Sequence, residues 1–385
     1  MIKIVVDATP LLPKPSGVGL YVHNLLNSLQ SLSFQENFEL GIAYQPGLKN
    51  WLLGNLSFPQ FLDKYPNLYL LPLPVRVLDV LISFPNPVLP YFEGNFGYPD
   101  IVHGTNYAVY PCKKSLRVMN IYDLTFIKYP NYVNSIVSTY TKRVKQCLKW
   151  TDLVITISES SKQDIVEYLN VSPERIYVTP LASRYYPNYL DDNLINQQLK
   201  NVNYNFAQPY ILFVSNIEPR KNIVSLITAF NLLKQKHKIE HNLVLIGQKG
   251  WHYEEIFAEI ERSPWKDQIY HLDYLSDQEV ALFYSKAGVF VYPSHYEGFG
   301  LPVLEAMTLG APVIASNTSS LPEVAGDAAI LIDPNDSTHL AEAILQVISN
   351  YQLRQELIDK GKDRAKLFSW ERTAKETLKA YKSLL

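Results

Sequence analysis

Two glutamates and two adjacent cations are the side chains of this chain whose types and spacing point to chemistry. Glu297 and Glu305 bracket Gly298-Phe299-Gly300-Leu301-Pro302-Val303-Leu304, and Arg220-Lys221 stand just before an amphipathic stretch from Ile223 to about Lys236. A loop with two glycines lets a ligand approach backbone N–H groups where a helix begins, a setting that suits phosphate or sugar hydroxyls. Two carboxylates above such a loop add acceptors for hydroxyls, and together these features suggest a sugar nucleotide. Cations at a helix N-terminus oppose the helix dipole. A bound diphosphate resolves that conflict, with Arg220 as a bidentate donor and Lys221 as a point charge; an ordinary basic turn is the plainer alternative. The same glutamates could instead form the carboxylate pair of a glycosidase, but their glycine loop and the cations favour the nucleotide sugar.

These groups must be carried by strand ends. Gly288 to Tyr292 is an apolar run with the length of a buried strand, Pro302 fits a first helical position and Gly310 a helix stop. Glu297 to Leu301 is then the connecting loop, with Glu305 in the first helical turn, at the carboxyl end of a strand where open α/β sheets bind ligands. Both carboxylates are expected to face one crevice. Tyr210 to Ser215 reads as a strand and Asn216-Ile-Glu-Pro219 as its turn. Asn242 to Gly247 is another strand, followed by Gln248-Lys249-Gly250-Trp251, whose ring could stack on a base or pack on the next helix. Ser276-Asp-Gln-Glu279 is a capping box.

In the amino-terminal half, Ile2 to Asp7 is a short buried strand and Gly17-Val18-Gly19 opens a helix to about Leu32. That turn could take a phosphate or serve tight packing. Asp100 to His103 and Leu116 to Tyr122-Asp123 are two further strands whose ends present candidate polar groups. Tyr69 to Pro99, dense in proline and aromatic residues, reads as irregular surface, either scaffold or an acceptor wall. A helix from about Ile136 to Trp150 carries Lys142, Arg143, Lys145 and Lys149; a solvated face explains it, with contact to a membrane or an anionic lipid-linked acceptor as the alternative. Residues 183–208 lose apolar alternation and read as the interdomain linker.

At 385 residues the chain exceeds what one core usually supports, so two domains are expected. A formal net charge of -2 offers no basis for general nucleic-acid binding. Cys112 and Cys147 are the only cysteines, which fits a reducing compartment. With no secretory signal and no apolar run of membrane-spanning length, a cytoplasmic protein is expected, with peripheral contact at the inner membrane face as a secondary expectation.

Glu297-Gly-Phe-Gly-Leu-Pro-Val-Leu-Glu305, followed by Ala311-Pro-Val-Ile-Ala-Ser and Ser319-Ser-Leu-Pro-Glu323-Val-Ala-Gly326, resembles the signature of the large retaining glycosyltransferase family called group 1 or GT4. The likeness extends to both ends of the chain. It implies an α/β protein of the GT-B fold, two Rossmann-like doubly wound domains facing a central cleft. Residues 1–190 would form the acceptor-side domain, joined by a C-terminal helix of about 370–385 crossing back, and 191–369 the nucleotide-sugar domain. The implied reaction is retaining, metal-independent transfer of a hexose from a nucleoside-diphosphate sugar to a hydroxyl acceptor. That acceptor could be lipid-linked, a polysaccharide or a small molecule. The Lys-Gly-Trp element resembles a mannosyltransferase-like branch, which suggests GDP-mannose.

Residue by residue, the resemblance makes Glu-Pro-Arg220-Lys221-Asn a phosphate-binding segment that stabilises the departing diphosphate. It gives Glu305 to the ribose, Glu297 to the transferred sugar, and backbone contacts to Gly298, Phe299, Gly300 and Leu301. Asn216, Gly247, Lys249 and Leu275 join the donor side, as do Gly17 and Gly19, where Ser16 replaces a usual glycine. His103, Tyr122 and Asp123 fall at the family's catalytic strand ends. Tyr122 stands where the family has histidine, and a phenol with pKa near 10 is a poor base. The leaving phosphate can accept the proton instead; a catalytically impaired nucleotide-sugar binder is the alternative. No metal or other cofactor is expected, because the cations take a metal's place.

Overall fold

The computed structural model describes residues 1–11, 17–54, 56–71, 73–82, 93–132, 137, 139–202 and 204–385. Ser16, the start of the helix expected from Ile136, and most of the proline-rich run after Ile82 lie outside the described residues. The chain divides into two compact units. The first comprises Met1–Lys128, Ser135–Leu181 and Trp370–Leu385, the second Tyr129–Asn134 and Ala182–Ser369.

The first unit is built on a seven-stranded parallel sheet: β1 (Ile2–Asp7), β2 (Phe38–Tyr44), β3 (Leu68–Leu70), β4 (Ile101–Gly104), β5 (Leu116–Asn120), β6 (Leu153–Thr156) and β7 (Ile176–Val178), in the order β3-β2-β1-β4-β5-β6-β7. The second has a six-stranded parallel sheet: β8 (Tyr210–Val214), β9 (Asn242–Ile246), β10 (Ile269–Leu272), β11 (Val289–Tyr292), β12 (Val313–Ser316) and β13 (Ala329–Ile332), in the order β10-β9-β8-β11-β12-β13. Both are doubly wound. Strands buried on both faces require uninterrupted apolar runs, and Val289–Tyr292 and Val313–Ser316 are buried throughout. In each sheet the strand order reverses between two central neighbours, β1 and β4 in the first and β8 and β11 in the second. Loops leaving the carboxyl ends of such a pair diverge and open a crevice.

Local chemistry sets the connecting helices. Ser276 and Glu279 form the reciprocal capping box of the helix Asp277–Lys286, and Ser158 caps Glu159–Leu169. The basic helix of the first unit spans Tyr140–Cys147. The last helix, Trp370–Lys382, belongs with the first unit, where Thr373 donates to the carbonyl of Pro180 at 2.6 Å.

Candidate active site

The residues expected to do chemistry in the second unit gather where β8 and β11 end. After β8 the chain makes a 3-10 turn, Pro219–Lys221, and Asn222, with φ 57°, caps the helix Ile223–His237. The Asn222 amide donates to the carbonyls of Pro293 at 3.1 Å and Pro334 at 2.7 Å, and the His295 N–H donates to the Arg220 carbonyl at 2.9 Å. The two strand ends are thereby tied together. Lys221 Nζ then lies 2.6 Å from Glu297 Oε1 and 2.9 Å from the Tyr292 hydroxyl. Arg220 reaches Glu297 Oε2 at 3.1 Å and Glu218 Oε1 at 2.7 Å, and donates to the Tyr296 carbonyl.

All of these charged side chains are largely shielded from water, that of Glu297 being 9% exposed. Burial raises the Glu297 pKa, but Arg220 and Lys221 more than reverse this and hold it at about 2. Burial and Arg220 both push Lys221 down, and the carboxylate of Glu297 overrides them, so its pKa is raised. Glu297 is therefore a fixed anion across the neutral range. It can accept hydrogen bonds from hydroxyls but has no proton to give.

The glycine loop is held from below. Gly300 has φ +105°, and a Cβ there would lie 2.6 Å from Leu321 Cδ2. The Ser319 hydroxyl accepts the Glu297 N–H at 2.9 Å, while Ser320 Oγ lies 2.9 and 2.8 Å from the carbonyl oxygens of Glu297 and Phe299 and shares its proton between them. The helix Leu301–Thr308 follows, with Pro302 in its first turn. Glu305 is 1% exposed and sits in the second turn, not the first, because the helix starts only at Leu301. Its Oε1 takes Arg184 Nε at 2.6 Å and its Oε2 the Tyr284 hydroxyl at 3.5 Å; Arg184 also pairs with Asp277 at 2.9 Å. Burial raises the Glu305 pKa, Arg184 opposes it, and the net direction is upward. The two glutamates thus have separate partners.

The other residues expected on the donor side follow β8, β9, β10 and β11 of the same sheet. Gly247, at the end of β9, has φ +147° and a Cβ there would meet the Ser215 carbonyl oxygen at 2.0 Å. Lys249 pairs with Ile217 in a parallel bridge, its ammonium 4.4 Å from the ring centroid of Phe257 and 5.0 Å from that of Tyr253. Asn216 is exposed, Leu275 is half-buried in the loop after β10, and Gly298 and Phe299 are buried.

In the first unit, Gly17 is exposed and Gly19 buried at the start of the helix Gly17–Glu36. His103 is fully buried at the end of β4. Its Nε2 donates to Asn120 Oδ1 at 2.5 Å and its Nδ1 accepts the Tyr381 hydroxyl at 2.6 Å. Burial holds it neutral, with a pKa of about 4. Both ring nitrogens are engaged within the unit. The buried Tyr122 hydroxyl donates to the Thr105 carbonyl at 2.5 Å, and burial first, then Tyr21 and Tyr107, push its pKa well up. Asp123 accepts the Thr125 N–H at 2.9 Å.

Sequence reasoning did not single out Arg184, Tyr284, Tyr292 or the supporting serines. Ser319-Ser320 were visible in the segment after β12, while nothing local to Arg184 announces Glu305, 121 residues away, as its partner.

The family model for glycosyl transferases group 1 matches residues 196–364. O-antigen chain mannosyltransferase B of Escherichia coli is 36% identical over 288 residues, covering 74% of this chain and 74% of that protein. Sucrose-phosphate synthase from Thermosynechococcus elongatus has the same fold, with a TM-score of 0.74 at 20% identity over 100% of this chain and 99% of that one. So has Anabaena HepE in complex with UDP-glucose, with a TM-score of 0.71 at 14% identity over the full length of both chains.

Proposed function

The chain belongs to the group 1 glycosyl transferases and has the GT-B fold, and on that premise we propose that it transfers mannose from GDP-mannose, with retention and without a metal, to a hydroxyl of a growing glycan or glycolipid. The observation that carries this reading is the Arg220–Lys221–Glu297 cluster where the strand order of the second sheet reverses. The sugar is suggested by the E. coli mannosyltransferase.

In this scheme Arg220, Lys221 and the N–H groups opening the helix Ile223–His237 receive the diphosphate and stabilise the charge that grows on it as it departs. Glu297, an anion beside them, accepts hydroxyls of the mannose. The bond from the anomeric carbon to the phosphate oxygen breaks and a bond to the acceptor oxygen forms on the same face. The acceptor's proton passes to the departing diphosphate. No protein base is needed, which suits a Tyr122 whose hydroxyl is spent on a backbone carbonyl and a His103 whose nitrogens are both bonded. His103 acts by holding β4, β5 and the last helix in place. Glu305 takes the ribose hydroxyls on lone pairs that Arg184 and Tyr284 leave open. A glycosidase acid must be protonated at neutral pH; Glu297, held at about 2, cannot be that acid, and Glu305, the other carboxyl of the pair, is engaged in an ion pair with Arg184.

Calorimetric titration of the full chain with GDP-, UDP-, ADP- and dTDP-sugars tests this directly. GDP-mannose is expected to bind, and Arg220→Ala with Lys221→Ala to weaken it by about 1–3 kcal/mol, the range for lost charged hydrogen bonds. If no nucleotide sugar binds, the proposal fails.

A further inference from the structure

Arg184 has so far appeared only as the partner of Glu305, yet the two side chains meet solvent very differently: that of Glu305 is 1% exposed and that of Arg184 34%. The other group bonded to Glu305, the Tyr284 hydroxyl, belongs to a fully buried ring. Of the three, Arg184 alone faces water, so a ligand that comes to Glu305 comes to Arg184 first. Arg184 stands where the chain enters the second unit and spans two helices of that unit. Its Nε donates to Glu305 Oε1 at 2.6 Å, on the helix Leu301–Thr308, and its Nη1 to Asp277 Oδ1 at 2.9 Å, at the start of the helix Asp277–Lys286.

The Arg184–Glu305 pair is joined by one hydrogen bond, where a guanidinium and a carboxylate frequently make two. Nη2, which shares an edge of the guanidinium with Nε, has no hydrogen-bond partner among the described residues. Glu305 Oε2, which would complete the fork, takes only the Tyr284 hydroxyl at 3.5 Å, long for a hydrogen bond. An unused donor therefore stands beside an acceptor with room. A hydroxyl is the group that satisfies both, because it accepts and donates at once. A phosphate oxygen has no proton to give, and Glu305 and Asp277 together would repel it.

We propose that Arg184 is a ribose-binding residue: one hydroxyl of the nucleotide's 2′,3′-diol accepts from Arg184 Nη2 and donates to Glu305 Oε2, completing the fork that the two side chains leave unfinished. The assignment rests on the transferase reading, which gives Glu305 to the ribose, and adds the donor that makes the site selective for a hydroxyl. A site built to bond a hydroxyl discriminates against the analogue that lacks it, since its own polar groups are then left unpaired.

The test titrates the full chain with GDP and with 2′,3′-dideoxy-GDP, which differ only in those hydroxyls. Wild type binds GDP about ten-fold or more tightly than the analogue. Arg184→Ala cuts that preference to about three-fold or less, while the affinity for the dideoxy analogue stays within about two-fold. Arg184→Lys keeps a cation beside Glu305 and Asp277 but replaces the planar fork by a point charge, and it loses the preference as well. A lysine variant that discriminates like wild type reduces Arg184 to a counter-charge and overturns the assignment, as does a preference unaltered in Arg184→Ala. Equal weakening of both nucleotides in either variant shows a purely structural role and overturns it too. So does tighter GDP binding by Arg184→Ala, which would make Arg184 an obstacle to the ribose. GDP bound by wild type without preference over its dideoxy analogue refutes the diol contact and leaves the transferase reading intact, whereas a chain that binds neither nucleotide refutes both.

Discussion

Glu297→Gln removes the negative charge that lets two buried cations stand side by side. In the wild type the Glu297 pKa is lowered from 4.5 to about 2. A depressed carboxyl stabilises the fold above its unfolded pKa and stops doing so as pH falls through its folded value. The shift corresponds to about 3 kcal/mol at about 1.4 kcal/mol per unit, present above about pH 4.5 and lost toward pH 2. The glutamine variant should therefore be less stable in the second unit by about 3 kcal/mol at neutral pH, and the two proteins should converge in acid. A second signature lies on the alkaline side. Without Glu297, burial and Arg220 both press the Lys221 pKa down from its ordinary 10.5, so the variant gains stability as pH rises toward that value, whereas the wild type, whose Lys221 is raised, loses stability only above it. Urea unfolding at pH 5, 7.5 and 9.5, with hydrogen exchange of peptides spanning β11, reads both effects. Added GDP should bind the variant at least as tightly as the wild type, because the diphosphate restores the missing charge, while GDP-mannose loses whatever the sugar contacts contributed. A variant as stable as wild type at pH 7.5, with the same pH slopes, would refute the assignment of Glu297 as the counter-charge.

Two further outcomes follow from the same structure. Burial raises the Asp7 pKa from 3.8 to about 6, so the native state holds more protons than the unfolded chain between those values and stability falls as pH rises through that window. Asp7→Asn should remove that slope and stabilise the first unit at pH 7.5 by up to about 3 kcal/mol, less insofar as Asp7 opens on a cavity of that unit, with no gain at pH 3.5; equal gains at both pH values in urea melts would contradict this. Gly247→Ala should destabilise the second unit by about 3 kcal/mol or more, because a methyl group at φ +147° would meet the Ser215 carbonyl oxygen at 2.0 Å, and an unchanged urea midpoint would contradict that contact.

Features set by near neighbours in the chain are legible in the sequence. Apolar runs bounded by glycine and proline identify the strands at Tyr210–Val214 and Val289–Tyr292, and Ser276 with Glu279 identifies a helix start, because each depends on neighbours a few residues away. The pairing of charges depends on the whole fold. Two cations before the helix Ile223–His237 were recognisable as an electrostatic conflict, and a bound anion was the expected remedy. The protein supplies much of that anion itself: Glu297, 76 residues from Lys221, is brought within 2.6 Å by the strand reversal and by the amide of Asn222. His103 is a parallel case. Its strand-end position suggested chemistry, and its partner Tyr381, 278 residues later, makes it the neutral centre of a buried network. Asp7 carries no local signal either. As the last residue of β1 it is an ordinary strand end in sequence; it becomes distinctive only in the fold, where it lines a cavity with Asp79 and Arg143 from two separate helices and has no cationic partner among the described residues. A charged residue in this fold is therefore best judged by which opposite charge the strand reversal brings to it. By that measure Asp7 differs from Glu297 and Glu305, each of which has its arginine.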